Sequence, residues 1–265
     1  MNATAPNEYH RGVGDLQRAL RIGACQTPEI LGDPRAAIAL MRQVARNTAD
    51  EGVDLLLFPE GFLQGYLVDP AHLDRWAMPI DSTAFSEVRI GLADVEPTLV
   101  FGIIERDGDR FMNSAVVLRQ GELVGVYRKT HLTPGEAAFT SRSDYPVFDQ
   151  AGLRFGINIC YDANFPESAA EVAANGADLL LLPAQNMMLR RSAESWKHKH
   201  NEIRAERARE TGMWLVSADV TGSRDTHRIG WGPTCFIDPT GEVVAEVPLG
   251  EIGVAVVEVP SRFPA

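Results

Sequence analysis

The stretch RIGACQTPEILGDPRAAIALMRQVARNTADEGVDLLLF, residues 21–58, runs through three patterns in succession. Residues 21–26 form a short apolar run that reads as a strand. Residues 34–51 repeat apolar side chains at helical spacing, and residues 53–58 are a second apolar run bounded by turn residues. This is a β-α-β opening. Working outward, the same alternation recurs, with strands expected at 98–104, 154–159, 178–182 and 213–218 and helices at 168–175 and 192–211. Repeated β-α alternation implies sheets covered by helices. Two adjacent apolar pairs, 113–119 with 122–127 and 232–237 with 243–247, are separated by Gln120-Gly121 and by the tetrapeptide 238–241. Both separators read as hairpin turns, because glycine accepts the positive φ such turns need. No Gly-, Ser- or Pro-rich linker divides the chain and no fixed-period repeat occurs, so residues 21–265 are expected to form a single domain behind a flexible tail, residues 1–20.

Composition narrows the function classes. The chain has 265 residues, 45% of them hydrophobic, enough for a sizeable core, and a formal net charge of −11. That charge argues against nucleic acid or an anionic membrane as partner, since both need clustered Lys and Arg. The three cysteines, Cys25, Cys160 and Cys235, are an odd number without CxxC spacing. Neither a disulfide framework nor a thiolate metal site follows, and a reducing cytoplasm fits. The first twenty residues lack an apolar h-region, and no apolar run approaches the length of about 18 residues that could span a bilayer. Small-molecule chemistry in a soluble protein is the class that remains.

Three strand ends carry residues suited to it. Glu60, in LLLFPEGF, stands just beyond an apolar strand and a proline that cannot continue it, so its carboxylate projects from the C-terminal edge, where α/β folds place ligands. Lys129, in VGVYRKTHL, follows the second arm of a hairpin. Cys160, in LRFGINICYDANFPE, lies between a strand and the helix start marked by Pro166 and Glu167. Such a junction can present a sulfur in a cleft with backbone N–H groups close by. Each residue alone has an ordinary explanation: a solvated carboxylate, a surface lysine, a core thiol. Cys25 and Cys235, inside strand patterns, keep the core explanation. A base, a cation and a thiol on one sheet edge are, together, what acyl transfer needs.

With FPEGF, YRKTHL and CYDANFPE in this order, the sequence resembles the nitrilase, or carbon–nitrogen hydrolase, superfamily, over a span that also takes in RAERARET at 204–211 and GPTCFIDPTGEVVAE near the end. The resemblance implies a four-layer α-β-β-α sandwich that forms homodimers or larger homo-oligomers. It makes Glu60 the general base, Lys129 the oxyanion stabiliser and Cys160 the nucleophile. It also implies a second glutamate after the lysine, for which Glu136 in HLTPGEAAF is the best match.

In that scheme Glu60 takes the thiol proton as sulfur attacks the amide carbon, and Lys129 with the backbone N–H of Tyr161 stabilises the oxyanion. Glu60 then protonates the departing amine and activates water against the thioester. Two carboxylates about one lysine would keep that lysine charged. No metal or organic cofactor is required. Tyr161-Asp162 stands after the cysteine where true nitrilases typically carry Trp-Glu, which favours amides over nitriles. Ala163-Asn164 offers no arginine or histidine for a substrate carboxylate, which favours a simple amide or ureido compound over an N-carbamoyl acid. Tyr66, Phe62, Asn186, Met187, Met188 and Trp196, the last at the start of a helix, are candidate pocket walls. Three other readings carry less: a papain-like Cys-His pair using His131, a metal held by His198 and His200, and a non-catalytic scaffold. The two histidines, at i and i+2 on a helix, would point apart into solvent, and a scaffold would more plausibly lack one of the three residues.

Overall fold

The structure, a computed structural model, describes residues 19–260. Residues 1–18 of the expected tail lie outside the described residues, and Leu20 already belongs to the first strand. One sheet begins with β1 (Leu20–Pro28), β2 (Leu55–Leu57), β3 (Thr98–Asp107), β4 (Arg110–Arg119) and β5 (Glu122–Arg128). A second contains β6 (Val147–Gln150), β7 (Leu153–Ile157) and β8 (Leu179–Pro183). The chain returns to the first with β9 (Met188–Leu189) and crosses to the second with β10 (Trp214–Ala218). Then come β11 (Val220–Ser223) and β12 (Arg228–Trp231) in the first, β13 (Cys235–Ile237) and β14 (Val243–Glu246) in the second, and β15 (Gly253–Val259) in the first.

The first sheet runs β5-β4-β3-β2-β1-β11-β12-β9, with β15 also on β1, and the second runs β14-β13-β10-β8-β7-β6. Their facing sides share one apolar core, in which Ile22, Leu57 and Val117 meet Phe155, Leu181 and Phe236. On the outer side of the first sheet, α1 (Pro34–Asn47) and α3 (Thr83–Gly91) bury Met41, Phe85 and Val88 against Leu56, Leu99 and Val116. On the outer side of the second, α4 (Pro166–Ala174) and α6 (Lys199–Thr211) bury Val172, Ala205 and Ala208 against Leu180 and Leu215. The order of layers is α-β-β-α, as expected. Two further helices, α2 (Pro70–Trp76) and α5 (Arg190–Trp196), are short.

Local chemistry explains the ends. Asp33 caps α1 by accepting from the Ala36 N–H at 3.0 Å, and Pro34 fills its first turn, where a missing N–H costs nothing. The β4–β5 hairpin turns on Gln120 and Gly121, both at positive φ, 47° and 77°. The helix expected over residues 192–211 is instead two, parted at Lys197-His198, and Trp196 ends α5 rather than beginning a helix. The polar sequence of that stretch carries no strong apolar stripe that would hold one axis straight. No helix among the described residues is long and apolar enough to cross a membrane.

Candidate active site

Glu60, Lys129 and Cys160 all line one cavity of about 330 Å³, although they come from different sheets. Glu60 follows β2, Lys129 follows β5, and Cys160 follows β7 across the interface. Glu60 is held from below by a close backbone approach. The Gly102 N–H donates to the Pro59 carbonyl at 3.0 Å, and a Cβ at Gly102 would fall 2.1 Å from the Gly61 nitrogen. From the second sheet, the carbonyl of Ala184, just after β8, accepts the Glu60 N–H at 3.2 Å. Both sheets thus fix one carboxylate.

At the back of the cavity lies a buried cluster. The Lys129 ammonium donates to Glu60 Oε1 at 2.7 Å and to the two oxygens of Glu136 at 3.1 and 3.0 Å, with Glu60, Lys129 and Glu136 only 2%, 1% and 0% exposed. Asn113 Nδ2 bridges the same two carboxylates, at 2.7 Å to Glu60 and 2.8 Å to Glu136. The Thr133 N–H gives Glu136 a further bond at 2.7 Å. Two carboxylates and one ammonium carry a net charge of −1. Burial, helped by the charge of Glu136, holds the Glu60 carboxyl above its ordinary range despite Lys129. At Glu136 burial works the same way, but Lys129 and the bonds from Thr133 and Asn113 outweigh it, and its carboxyl lies below the ordinary range. Although burial opposes the charge on Lys129, the carboxylates around it hold its ammonium above the ordinary lysine value.

Cys160 occupies a strained position, a non-glycine residue at φ 44°, which turns its sulfur out of the strand direction into the cavity. Asp162 holds that turn. Fully buried, it accepts from the Ile159 N–H at 2.9 Å, the His131 N–H at 2.7 Å and the Tyr127 hydroxyl at 2.8 Å. Arg207 of α6 donates to the Ala163 carbonyl at 3.0 Å. Burial, with Glu60 close by, pushes the Cys160 thiol well above its ordinary value, so the sulfur is protonated at neutral pH. Cys25 and Cys235 are fully buried in the apolar layers, with both thiols also pushed up by burial.

Tyr66, Tyr161, Asn186, Met187, Met188 and Trp196 are brought together around the same cavity. Glu136 stands behind Lys129 and is not part of the wall. Phe62 is not in the wall either: its ring packs 5.0 Å from that of Phe58 in the core under α1. His131 stacks on Phe165, centroids 3.7 Å apart, and is not among the residues lining the cavity with Cys160, so the expected alternative of a Cys160–His131 pair does not form. His200 is a correction of another kind. It turns inward, its ring 5.4 Å from Trp196, and lines the cavity, where burial and Arg204 lower its pKa to about 3 and keep it neutral.

Four site residues escaped the sequence reading. Asn113, the bridge between the carboxylates, shows only as a polar residue opening an apolar strand. Gln185 and Arg204 line the cavity, and Asp219 lies behind it. The Asp219 carboxylate accepts from the Asn186 N–H at 2.9 Å and from Asn186 Nδ2, which leaves Asn186 Oδ1 facing Cys160 Sγ at 4.0 Å. Arg204 in turn lies 3.6 Å from Asp219. A lone aspartate directly after an apolar strand was the one signal available.

Comparison with known proteins identifies the family and the fold. A family model described as carbon–nitrogen hydrolase matches residues 21–263. An (R)-stereoselective amidase of Pseudomonas sp is 30% identical over 205 residues, 75% of this chain and 70% of that protein. A nitrilase of Pyrococcus abyssi is 30% identical over 236 residues, 88% and 86% of the two chains. Among solved structures, a mutant of the amidase from Nesterenkonia sp. AN1 superposes with a TM-score of 0.76 at 26% identity, covering 92% of each chain, and shows covalent addition of the acetamide moiety of fluoroacetamide at its active site cysteine.

Proposed function

The chain belongs to the carbon–nitrogen hydrolase family, and from that premise we propose that it is an amidase that cleaves the C–N bond of a small amide through a thioester on Cys160. The observation that carries this reading is the buried Glu60–Lys129–Glu136 cluster opening on the same cavity as the Cys160 sulfur. It is supported by the amidases among the relatives; a mutant of one of them shows covalent addition of the acetamide moiety of fluoroacetamide at its active site cysteine.

A thiol held protonated by burial cannot wait as a thiolate, so proton removal and attack belong to one step. Glu60, the carboxylate held at the cavity, accepts the proton as sulfur bonds to the amide carbon. The carbonyl π electrons move to oxygen, where the Lys129 ammonium and the Tyr161 backbone N–H receive the charge. Collapse breaks the C–N bond. Glu60 returns its proton to the departing nitrogen, releasing ammonia or an amine and leaving an acyl-thioester. Water then attacks that carbon, giving its proton to Glu60, and sulfur leaves as the thiol on taking the proton back. A carboxyl raised by burial suits both directions of transfer, because it holds the proton long enough to deliver it. Glu136 keeps Lys129 charged and in place.

Ammonia release from amides, ureido compounds and nitriles, measured for wild type and Cys160→Ala, tests the proposal. Release from amides by wild type alone is expected, together with an acylated Cys160 in intact-mass spectra after rapid acid quench. Equal turnover by Cys160→Ala, or turnover confined to nitriles, would overturn it.

A further inference from the structure

The cavity has a definite chemical character. Around Cys160 its lining includes an aromatic and apolar stretch, Tyr161, Met187, Met188, Trp196 and Ile203, with the His200 imidazole among them. Its volume of about 330 Å³ equals about eleven waters at roughly 30 Å³ each, room for an amide of about ten non-hydrogen atoms.

Charge is the sharper constraint. Among the described residues two cations line the cavity, and both are already engaged. Lys129 is bound by two carboxylates, and that cluster leaves one negative charge in excess. Arg204, 3% exposed, lies 3.6 Å from the Asp219 carboxylate and donates to the Pro233 carbonyl at 2.8 Å and the Asn201 side chain at 3.2 Å. His200 between Trp196 and Arg204 is neutral. Lys199 lies 5.7 Å from the Trp196 ring centroid but is not a lining residue. Asn164 and Gln185 add neutral polar groups. An anionic substituent on the acyl chain would therefore be desolvated with no cation among the described residues free to meet it, beside a cluster of its own sign.

We infer that the site selects neutral amides with an aromatic or branched apolar acyl group and rejects those with a second, ionised carboxylate. This rests on the amidase reading above and narrows it.

The test compares kcat/KM for four primary amides with wild-type enzyme: phenylacetamide, 4-methylpentanamide, succinamate and propanamide. 4-Methylpentanamide and succinamate have the same heavy-atom skeleton, two methyls replacing two carboxylate oxygens. The expected result is that phenylacetamide and 4-methylpentanamide each exceed succinamate at least a hundredfold, about 2.7 kcal/mol at 1.36 kcal/mol per decade. In Trp196→Ala the phenylacetamide-to-propanamide ratio should fall tenfold or more. Succinamate turned over as fast as 4-methylpentanamide would overturn the charge selection, and an unchanged ratio in Trp196→Ala would overturn the aromatic wall. Turnover of propanamide alone would overturn the acyl class while sparing the amidase reading. No turnover of any of the four would overturn both.

Discussion

Replacing Glu136 by glutamine removes one negative charge from a buried cluster while keeping its shape, and the consequence for Glu60 can be worked out. Asn113 Nδ2 touches Glu60 Oε1 at 2.7 Å and Glu136 Oε1 at 2.8 Å, so the two oxygens stand no farther apart than those distances laid end to end, about 5.5 Å. Two unit charges at that separation repel by about 3 kcal/mol at an effective dielectric constant of about 20. That is about two pH units at 1.36 kcal/mol each. Glu136 is one of the two influences that hold the Glu60 carboxyl up, the other being burial, and Lys129 pulls it down. With the repulsion gone and Lys129 still 2.7 Å away, Glu60 ionises more easily. The acid limb of kcat/KM, which in wild type should lie above the ordinary glutamate range, should therefore move down by one to two pH units in Glu136→Gln. A weaker base at the plateau should cost about tenfold or more in kcat on Brønsted grounds. The assay is ammonia release from one amide between pH 3.5 and about 9, with folding monitored in parallel across the same range. An acid limb that stays in place or moves up would refute the reasoning, because it would mean that the two carboxylates do not share the electrostatics assigned to them.

Gly102→Ala should disturb the site without touching it. The new Cβ would meet the Gly61 nitrogen at 2.1 Å and the Glu60 carbonyl carbon at 2.6 Å, so the loop carrying the base must shift; a fall in kcat of about a hundredfold is expected from a displacement of about 1 Å, with some loss of Tm. Asp162→Ala leaves two backbone N–H groups unpaired and the Tyr127 hydroxyl with Thr130 alone; at about 1–3 kcal/mol for each orphaned N–H, it should lower stability in urea unfolding by at least about 2 kcal/mol. Asp162→Asn, which keeps an acceptor oxygen, should recover part of that loss; equal stability of both variants and wild type would remove Asp162 from its role under the cysteine turn. Asp219→Asn should change turnover through the Asn186 side chain that it orients toward Cys160, lowering kcat more than it raises KM, readable from initial rates over a substrate series.

The elements with strong local signals were legible in the sequence, and so were the three residues at their ends. Residues 21–58 gave strand, helix and strand, and Gln120-Gly121 gave its hairpin, since periodicity and turn chemistry are local properties. Strand β15 was missed although Gly253–Val259 is apolar, because its assignment depends on pairing with β1 along the far end of the chain, Leu20 opposite Val259. The break between α5 and α6 was missed because nothing at Lys197-His198 forbids a continuous helix; there is no proline or glycine there. Within the site, acid, cation and thiol could be read from position, but the groups that tune them could not. Asn113 acts by reaching two carboxylates at once, and Asp219 by bonding Asn186 from another strand, and neither relation has a sequence spacing. His200 misled for a related reason: the spacing of i and i+2 presumes one helix, whereas His198 stands at the break before α6, and the direction of the axis that points His200 inward is set by packing.

That the acid and the cation ride on one sheet and the thiol on the other makes turnover a gauge of how well the two halves of the sandwich are seated. A slippage of an ångström or so between them would leave far-ultraviolet dichroism intact, since every strand keeps its neighbours, yet would part sulfur from carboxylate. Heat, pressure or mild denaturant should then silence the enzyme before any spectroscopic sign of melting. During refolding, the last event to be recorded would be the return of hydrolysis. On the proposed mechanism, a chain whose halves have not closed carries a thiol without its base and a base without its thiol, and should show no amide turnover.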